Sequence, residues 1–363
     1  MAKHNAANTR IKRQYFEYLK EAQRRDEASI DQVAKALARF EEATGYKDFR
    51  KFHREQAKAF KKRLSYEKNA RTGKPLARAT VHSTLSALRA FFIWLAGQPG
   101  FKSRIAYADA DYFNLSEKEV RIAKASRMKP VPTLEQVRRV LATMPAETNI
   151  QLRNRSLIAF TMLTGARDGA LASLRLKHVN LDDGYVEQDA RDVKTKASKS
   201  FTTWFFPVGG DALTVFTAWC EHLRKELFWG DDDPLFPKTL VGLGETGGFQ
   251  PVGLCREYWS GAGPIRRIFR DAFETAGLPY FNPHSFRNML VQLGERVCRS
   301  PEEFKAWSQN LGHEKVLTTL NSYGTVAPHR QGELIRQLAA LDRSSSELTS
   351  DEIAKIKLLA ASL

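Results

Sequence analysis

Apolar positions recur at spacings of three and four through most of the first 115 residues, the period of helices with one buried face. Ser29 and Asp31 open one such segment, in which Ile30, Val33, Leu37 and Phe40 share a side before Gly45 closes it. A second runs from about Asp48 to Leu64. A third, from Thr80, carries Val81, Leu85, Leu88, Phe91, Phe92 and Leu95 as a wide apolar stripe. The loop 71–75 separates these two. The stretch 116–132 (SEKEVRIAKASRMKPVP) is charged and nearly free of large apolar side chains. It ends in Pro130 and Pro132, which disfavour helix at the residues before them, and so reads as a linker. Thr133 then caps a helix with Glu135 in its first turn, and a further helix over about 151–163 ends at Thr164-Gly165.

After Leu176 the period changes. Residues 178–208 read as strand, turn, strand, turn, strand, with Asp182-Asp183-Gly184 as the first turn and a Lys-rich second turn before FTTWFFPV. Helices resume near Ala212. The stretch 228–264, rich in Gly, Pro and Asp, reads as a long irregular loop with a lid or contact role. The pattern predicts a mainly α chain with a small antiparallel sheet (α+β). It divides into a helical domain at 1–115, a linker at 116–132, a second domain at 133–343 and a terminal segment at 344–363. In that last segment Ser344–Ser346 read as a tether. Thr349 or Ser350 then caps a helix with Ile353, Ile356, Leu359, Ala360 and Leu363 on one face, to be buried either on its own domain or on a neighbour's.

Charge sharpens this division. The 363 residues carry 57 Lys and Arg against 41 Asp and Glu, a net +16. Residues 1–129 hold 29 basic and 14 acidic side chains, whereas residues 130–363 hold 28 and 27. The first third is therefore built to meet a polyanion. No window approaches the roughly 18 consecutive apolar residues of a membrane span, and the start MAKHNAANTRIKRQ has no apolar signal core, so a soluble, unsecreted protein is expected. Cys220, Cys255 and Cys298 are too few and too far apart for a disulfide framework or a zinc knuckle, and read as reduced, buried thiols. No phosphate-binding GxxxxGK[ST] is present, and residues 242–248 (GLGETGG) lack its lysine. Asp231, Asp232 and Asp233 are adjacent, so their carboxylates diverge and make a solvated loop rather than a metal site.

The remaining chemistry lies in Arg, Lys, His and Tyr. Arg167 follows Thr-Gly-Ala at the end of an apolar helix. Lys196 sits in the turn Thr-Lys-Ala-Ser-Lys-Ser, His284 and Arg287 are one helical turn apart, Leu-Gly-His ends at His313, and Tyr323 follows in Thr-Thr-Leu-Asn-Ser-Tyr. Singly, each has an ordinary reading: a helix-end arginine, a solvated lysine among Lys194 and Lys199, two cap-region histidines and a packing tyrosine.

Together, in the order Arg, Lys, His-x-x-Arg, Gly-His, Tyr, they resemble the tyrosine recombinase family of phage-integrase type across residues 130–343. The basic helical first domain is similar to that family's core-binding domain. The resemblance implies a site-specific DNA recombinase or integrase that works through a 3′-phosphotyrosyl intermediate and a Holliday junction, without metal, nucleotide or other cofactor. Its partners would be double-stranded recombination sites and three further copies of itself, forming a tetramer on two duplexes in a bacterial or phage-derived cytoplasm, associated with the nucleoid. Arg167 and Arg287 would clamp the phosphate oxygens with charge-assisted hydrogen bonds. Tyr323 would be the nucleophile, Lys196 the general acid for the leaving 5′-oxygen, and His284 a proton-transfer partner of the tyrosine, while His313 would donate to a phosphate oxygen. Lys58, Lys61, Lys62, Arg63 and Arg89 of the helical domain would contact DNA phosphates.

Two departures stand out. The family often has an acid three positions after the first arginine, where this chain has Ala170, with Asp168 one position after; and Tyr323 lies ten residues after His313 where nine is more usual. Two rival readings remain open on the residues: a type IB topoisomerase-like enzyme that cuts and reseals one duplex, and a catalytically silent DNA-binding accessory protein of the same fold.

Overall fold

The structure is a computed structural model that describes residues 4–70, 72–125, 130–195, 198–244, 247–313 and 333. It divides into two compact units, Met1–Ala125 and Ser126–Leu363.

The first unit is helical. α1 (Ala6–Glu17) runs into a π-helical turn at Tyr18–Ala22, followed by α2 (Glu27–Ala43), α3 (Arg54–Tyr66), α4 (Arg78–Ala96), a 3-10 turn at Tyr107–Phe113 and α5 (Glu117–Lys124). α2 starts earlier than its apolar spacing indicates because Asp26 caps it, its carboxylate accepting from the Ser29 amide at 2.6 Å. The core is an aromatic stack. Phe52 and Phe92 lie face to face with centroids 3.7 Å apart, and Phe40 meets Phe60 and Phe92 edge-on.

The expected linker is in part helical. Ser116 accepts from the Glu119 amide while the Glu119 carboxylate accepts from the Ser116 amide at 3.0 Å, a reciprocal cap that starts α5, and α5 packs on α4 within the first unit. The two prolines lie beyond it, at 130 and 132.

In the second unit α6 (Leu134–Thr143) and α7 (Asn149–Thr164) precede the single turn α8 (Asp168–Leu171). The predicted sheet follows as β1 (Val179–Asn180), β2 (Tyr185–Gln188) and β3 (Phe201–Trp204), antiparallel in that order. α9 (Gly210–Lys225), a β4–β5 hairpin (Lys238–Leu243 and Phe249–Cys255), α10 (Gly263–Thr275), α11 (Pro283–Val297) and α12 (Pro301–Asn310) complete the described part. α7 is buried nearly all round, packing on α9, α6, α11 and the base of β5, which explains why its sequence has no clear polar face.

The hairpin corrects the irregular loop expected at 228–264. Leu243 pairs with Phe249, Val241 with Pro251, Leu240 with Gly253 and Thr239 with Leu254, and β-favouring side chains such as Val241, Phe249 and Val252 outweigh the glycines and proline among them. Its root is fastened by the buried Arg153 on α7. That guanidinium donates to the Pro237 carbonyl at 2.5 Å and the Thr239 hydroxyl at 3.0 Å, and lies over the Trp259 ring at 4.9 Å.

The three aspartates before the hairpin diverge as expected, Asp231 towards Arg224, Asp232 towards Arg175 and Lys177, and Asp233 towards Arg256. Of the cysteines expected to be buried, only Cys220 is, and burial pushes its thiol up to about 12; Cys255 and Cys298 are partly exposed. No helix among the described residues is long and apolar enough to cross a membrane. The segment 344–363, with its apolar stripe, lies outside the described residues.

Candidate active site

Glycine at the end of α7 begins the site. Gly165 takes the left-handed conformation (φ 58°) that terminates α7, and any Cβ there would press on Leu290 at 2.9 Å and on Leu311 and Arg287. This leaves room for Arg287, whose Nη1 donates to the Gly165 carbonyl at 2.7 Å. Two residues on, Arg167 occupies the N-cap position of α8.

Arg287 is on α11, which Asn282 caps and Pro283 opens. His284, one turn earlier on the same helix, is exposed. Arg287 itself is 3% exposed. Its Nη2 donates to the Leu311 carbonyl and lies 3.1 Å from Nε2 of His313. The Leu-Gly-His turn is shaped by its central residue. Gly312 has φ 67°, and a Cβ there would fall 2.7 Å from the Phe201 ring of β3. Asn310, just before it, bonds both the amide and the carbonyl of Trp204, at 2.7 and 2.9 Å, so the end of α12 is sewn to β3.

The electrostatics of this corner favour an anion. Among the described residues neither Arg167 nor Arg287 has a carboxylate partner. Burial lowers the pKa of Arg167, and burial followed by repulsion from Arg167 brings Arg287 down to about 9. Two guanidiniums close enough to repel each other, with no carboxylate beside either among the described residues, favour a bound anion. Asp168, the acid next to Arg167 in sequence, is engaged elsewhere, its Oδ2 accepting from Arg266 through Nε at 2.8 Å and through Nη2. The sequence carries no local signal for that pairing, since Arg266 is 98 residues away.

Arg167, Arg287 and His313 are thus brought together, with His284 on the same helix as Arg287. Lys196 and Tyr323 lie outside the described residues, although the chain on either side of Lys196 is defined. The lysine turn makes a contact that motif spacing does not reveal: the Lys194 amide donates at 2.8 Å to Ser173 Oγ, just beyond α8.

In the first unit, Lys58, Lys61 and Lys62 on α3 line a groove of about 240 Å³ with Ser65, Arg78 and Glu119. Arg78 is missing from the expected contacts because the helical period does not show that the start of α4 meets α3. Lys58 pairs with Glu55 at 2.9 Å, and Lys61 donates to the Asn114 carbonyl at 2.7 Å. Arg63 faces a separate hollow with Lys47 and Gln56, and Arg89 is held in a two-bond pair with Asp111. Replacing Lys62 and Arg78 together by Ala is expected to make log K against log salt shallower by about 2, at about 0.9 for each phosphate no longer neutralised. An unchanged slope in a fluorescence-anisotropy titration over several salt concentrations would remove the groove from the DNA-contact surface.

Residues 131–330 match the Phage integrase family. Tyrosine recombinase XerC of Escherichia coli (strain K12 / DH10B) is 31% identical over 250 residues, spanning 68% of this chain and 70% of XerC. Similar folds at low identity include a lambda integrase dimer bound to a COC' core site, with TM-score 0.56 and 14% identity over 87% of this chain and 94% of that one. The Tn1549 transposon integrase in complex with transposon right end DNA has TM-score 0.54 and 14% identity over 91% and 99%. XerH site-specific recombinase bound to its difH substrate has TM-score 0.55 and 17% identity over 89% and 84%. The chain belongs to the phage integrase family, the tyrosine recombinases, which are DNA strand-transferring enzymes.

Proposed function

We propose that the chain is a site-specific recombinase whose reacting phosphate sits between Arg167 and Arg287. The observation that carries this is the buried Arg287, fixed by two backbone carbonyls, close to His313 and without a carboxylate partner among the described residues. A phosphodiester under attack gathers negative charge on its non-bridging oxygens. Preorganised guanidiniums stabilise that charge without having to reorganise.

In this reading the Tyr323 phenolic oxygen attacks phosphorus, the P–O5′ bond breaks, and a 3′-phosphotyrosyl ester forms. His284 takes the phenolic proton, Lys196 gives a proton to the departing 5′-oxygen, and His313 donates a hydrogen bond to a phosphate oxygen. A 5′-hydroxyl from another strand then attacks the phosphotyrosine and releases Tyr323. One ester replaces another at each step, so exchange needs no nucleotide. Lys58, Lys61, Lys62, Arg63 and Arg89 are the phosphate contacts proposed for the first unit.

A lambda integrase tetramer bound to a Holliday junction is among the similar structures, with TM-score 0.52 and 16% identity over 86% of this chain and 78% of that one. Four copies on two duplexes is the matching assembly here, and residues 133–343 would form the catalytic domain. We take the enzyme to act in a cytoplasm, associated with the nucleoid, where its DNA substrate would lie.

A nicked suicide substrate, which loses its short 5′ fragment after cleavage, tests the reading. In excess EDTA it is expected to yield a protein–DNA adduct joined at the 3′ end, and paired sites are expected to yield exchanged strands. An adduct without exchange would return the topoisomerase-like reading. No adduct, with DNA binding retained, would return the silent accessory protein, and an absolute Mg²⁺ requirement for cleavage would point to different chemistry.

A further inference from the structure

We propose that Asp192 and Ser173 are positioning residues that hold the turn between β2 and β3 in register with the arginine site. This rests on the reading above in which Lys196, in that turn, is the general acid. Twelve residues, 189–200, join Gln188 to Phe201, far more than a tight hairpin needs. Left to itself, a connection of that length would sample many positions.

The turn is pinned just before Lys196. Val193 is buried in the core at 2% exposure. The next amide, Lys194 N–H, donates to Ser173 Oγ at 2.8 Å, and that hydroxyl donates to the Gly169 carbonyl of α8 at 3.0 Å. Arg167 stands at the N-cap position of the same short helix, so the lysine turn and the first arginine hang from one piece of backbone. On the other side of Val193, Asp192 reaches the segment that follows Ser173. Its carboxylate meets Lys177 Nζ at 3.0 Å, Arg175 at 3.5 Å and His178 Nε2 at 3.5 Å.

The histidine is itself oriented, its Nδ1 accepting from the Arg175 amide at 3.0 Å, which leaves Nε2 to carry the proton towards Asp192. Asp232 shares Arg175 and Lys177, both at 2.9 Å, and completes a network of two carboxylates and three basic side chains. The hydrogen bond from Lys177, with help from Arg175 and His178, holds the Asp192 carboxyl below its usual range and so ionised.

Partly exposed ion pairs add little to stability. The consequence of this network is geometric. A general acid must reach its oxygen within hydrogen-bond distance, and a displacement of about 1 Å costs about 10²-fold in rate.

The test compares Asp192→Ala, Ser173→Ala and Lys196→Ala on two suicide substrates, one with the normal 5′-oxygen leaving group and one with a 5′-bridging sulfur, which departs without a proton. Asp192→Ala and Ser173→Ala are each expected to slow cleavage of the oxygen substrate about 10- to 100-fold while cleaving the sulfur substrate within about threefold of wild type. Lys196→Ala is expected to show the same pattern more strongly. Equal slowing on both substrates, or no slowing on either, with Lys196→Ala still rescued by sulfur, would overturn the positioning role alone. Failure of sulfur to rescue Lys196→Ala would overturn the general-acid assignment, and the positioning role with it. Thermal melting of each variant separates misfolding, which slows both substrates, from loss of register.

Discussion

Tyr323→Phe is expected to abolish covalent attachment to a nicked suicide substrate while leaving affinity for the intact site within about twofold of wild type. The change removes one oxygen and almost no volume, so packing and the phosphate clamps are left nearly as they were. Chemistry loses everything, because no phosphotyrosyl ester can form without the phenolic oxygen. A free tyrosine ionises only near pH 10, so attack at neutral pH requires surroundings that favour the phenolate, and Arg167 and Arg287 supply positive charge. Gel analysis after protease digestion distinguishes an adduct at residue 323 from one elsewhere. An adduct persisting in the Phe variant would move the nucleophile to another side chain.

The second large effect concerns Arg287. Arg287→Gln is expected to lower the cleavage rate on the order of 10²- to 10³-fold, the scale for losing one preorganised donor to a charged transition state. Its effect on stability should be small. The wild-type protein already bears the cost of a buried guanidinium without a counter-ion, and glutamine keeps a donor for one of the two carbonyls it serves. A melting temperature that collapses along with activity would make Arg287 a structural residue.

The depressed pKa adds a signed consequence. Arg287 titrates at about 9 in the protein alone, below its unfolded value of 12.5, so the folded state binds fewer protons between those values and stability rises with pH across that window. A phosphate bound between the two guanidiniums favours the charged form and draws the pKa back up. DNA binding near pH 9 should therefore take up protons, and binding near pH 7 should not, a difference readable by calorimetry in buffers of unlike ionisation enthalpy. Arg287→Gln should abolish the uptake.

Much of the site can be read in the chain because its parts are short-range. His284 and Arg287 need only the helical period to share a face, and Leu-Gly-His is a local turn. Their order along the chain, ending in Tyr323, carries the resemblance without any knowledge of contacts. The helices are legible for the same reason, with differences only where a cap or a turn decides the boundary. The reciprocal cap at Ser116 and Glu119 is written in the sequence and is masked there by the charge around it. The 238–255 hairpin is obscured by the glycines that form its turn.

Read residue by residue, the chain offers the candidate reacting groups, the basic first third and the period of each element. All of these follow from side-chain identity and from spacings of two to four residues. Which of these groups meet is set by the fold. Arg287 lies 122 residues from the carbonyl that holds it, Asp168 answers to Arg266 rather than to its neighbour Arg167, and Asn310 ties β3 to the histidine turn across 106 residues. Contacts at such separations depend on how whole elements pack, and no local pattern encodes them. Gly165 and Gly312 show the same division. Each is visible as a glycine, but the need for it comes from neighbours brought in by the fold, Leu290 and Leu311 against one and the Phe201 ring against the other.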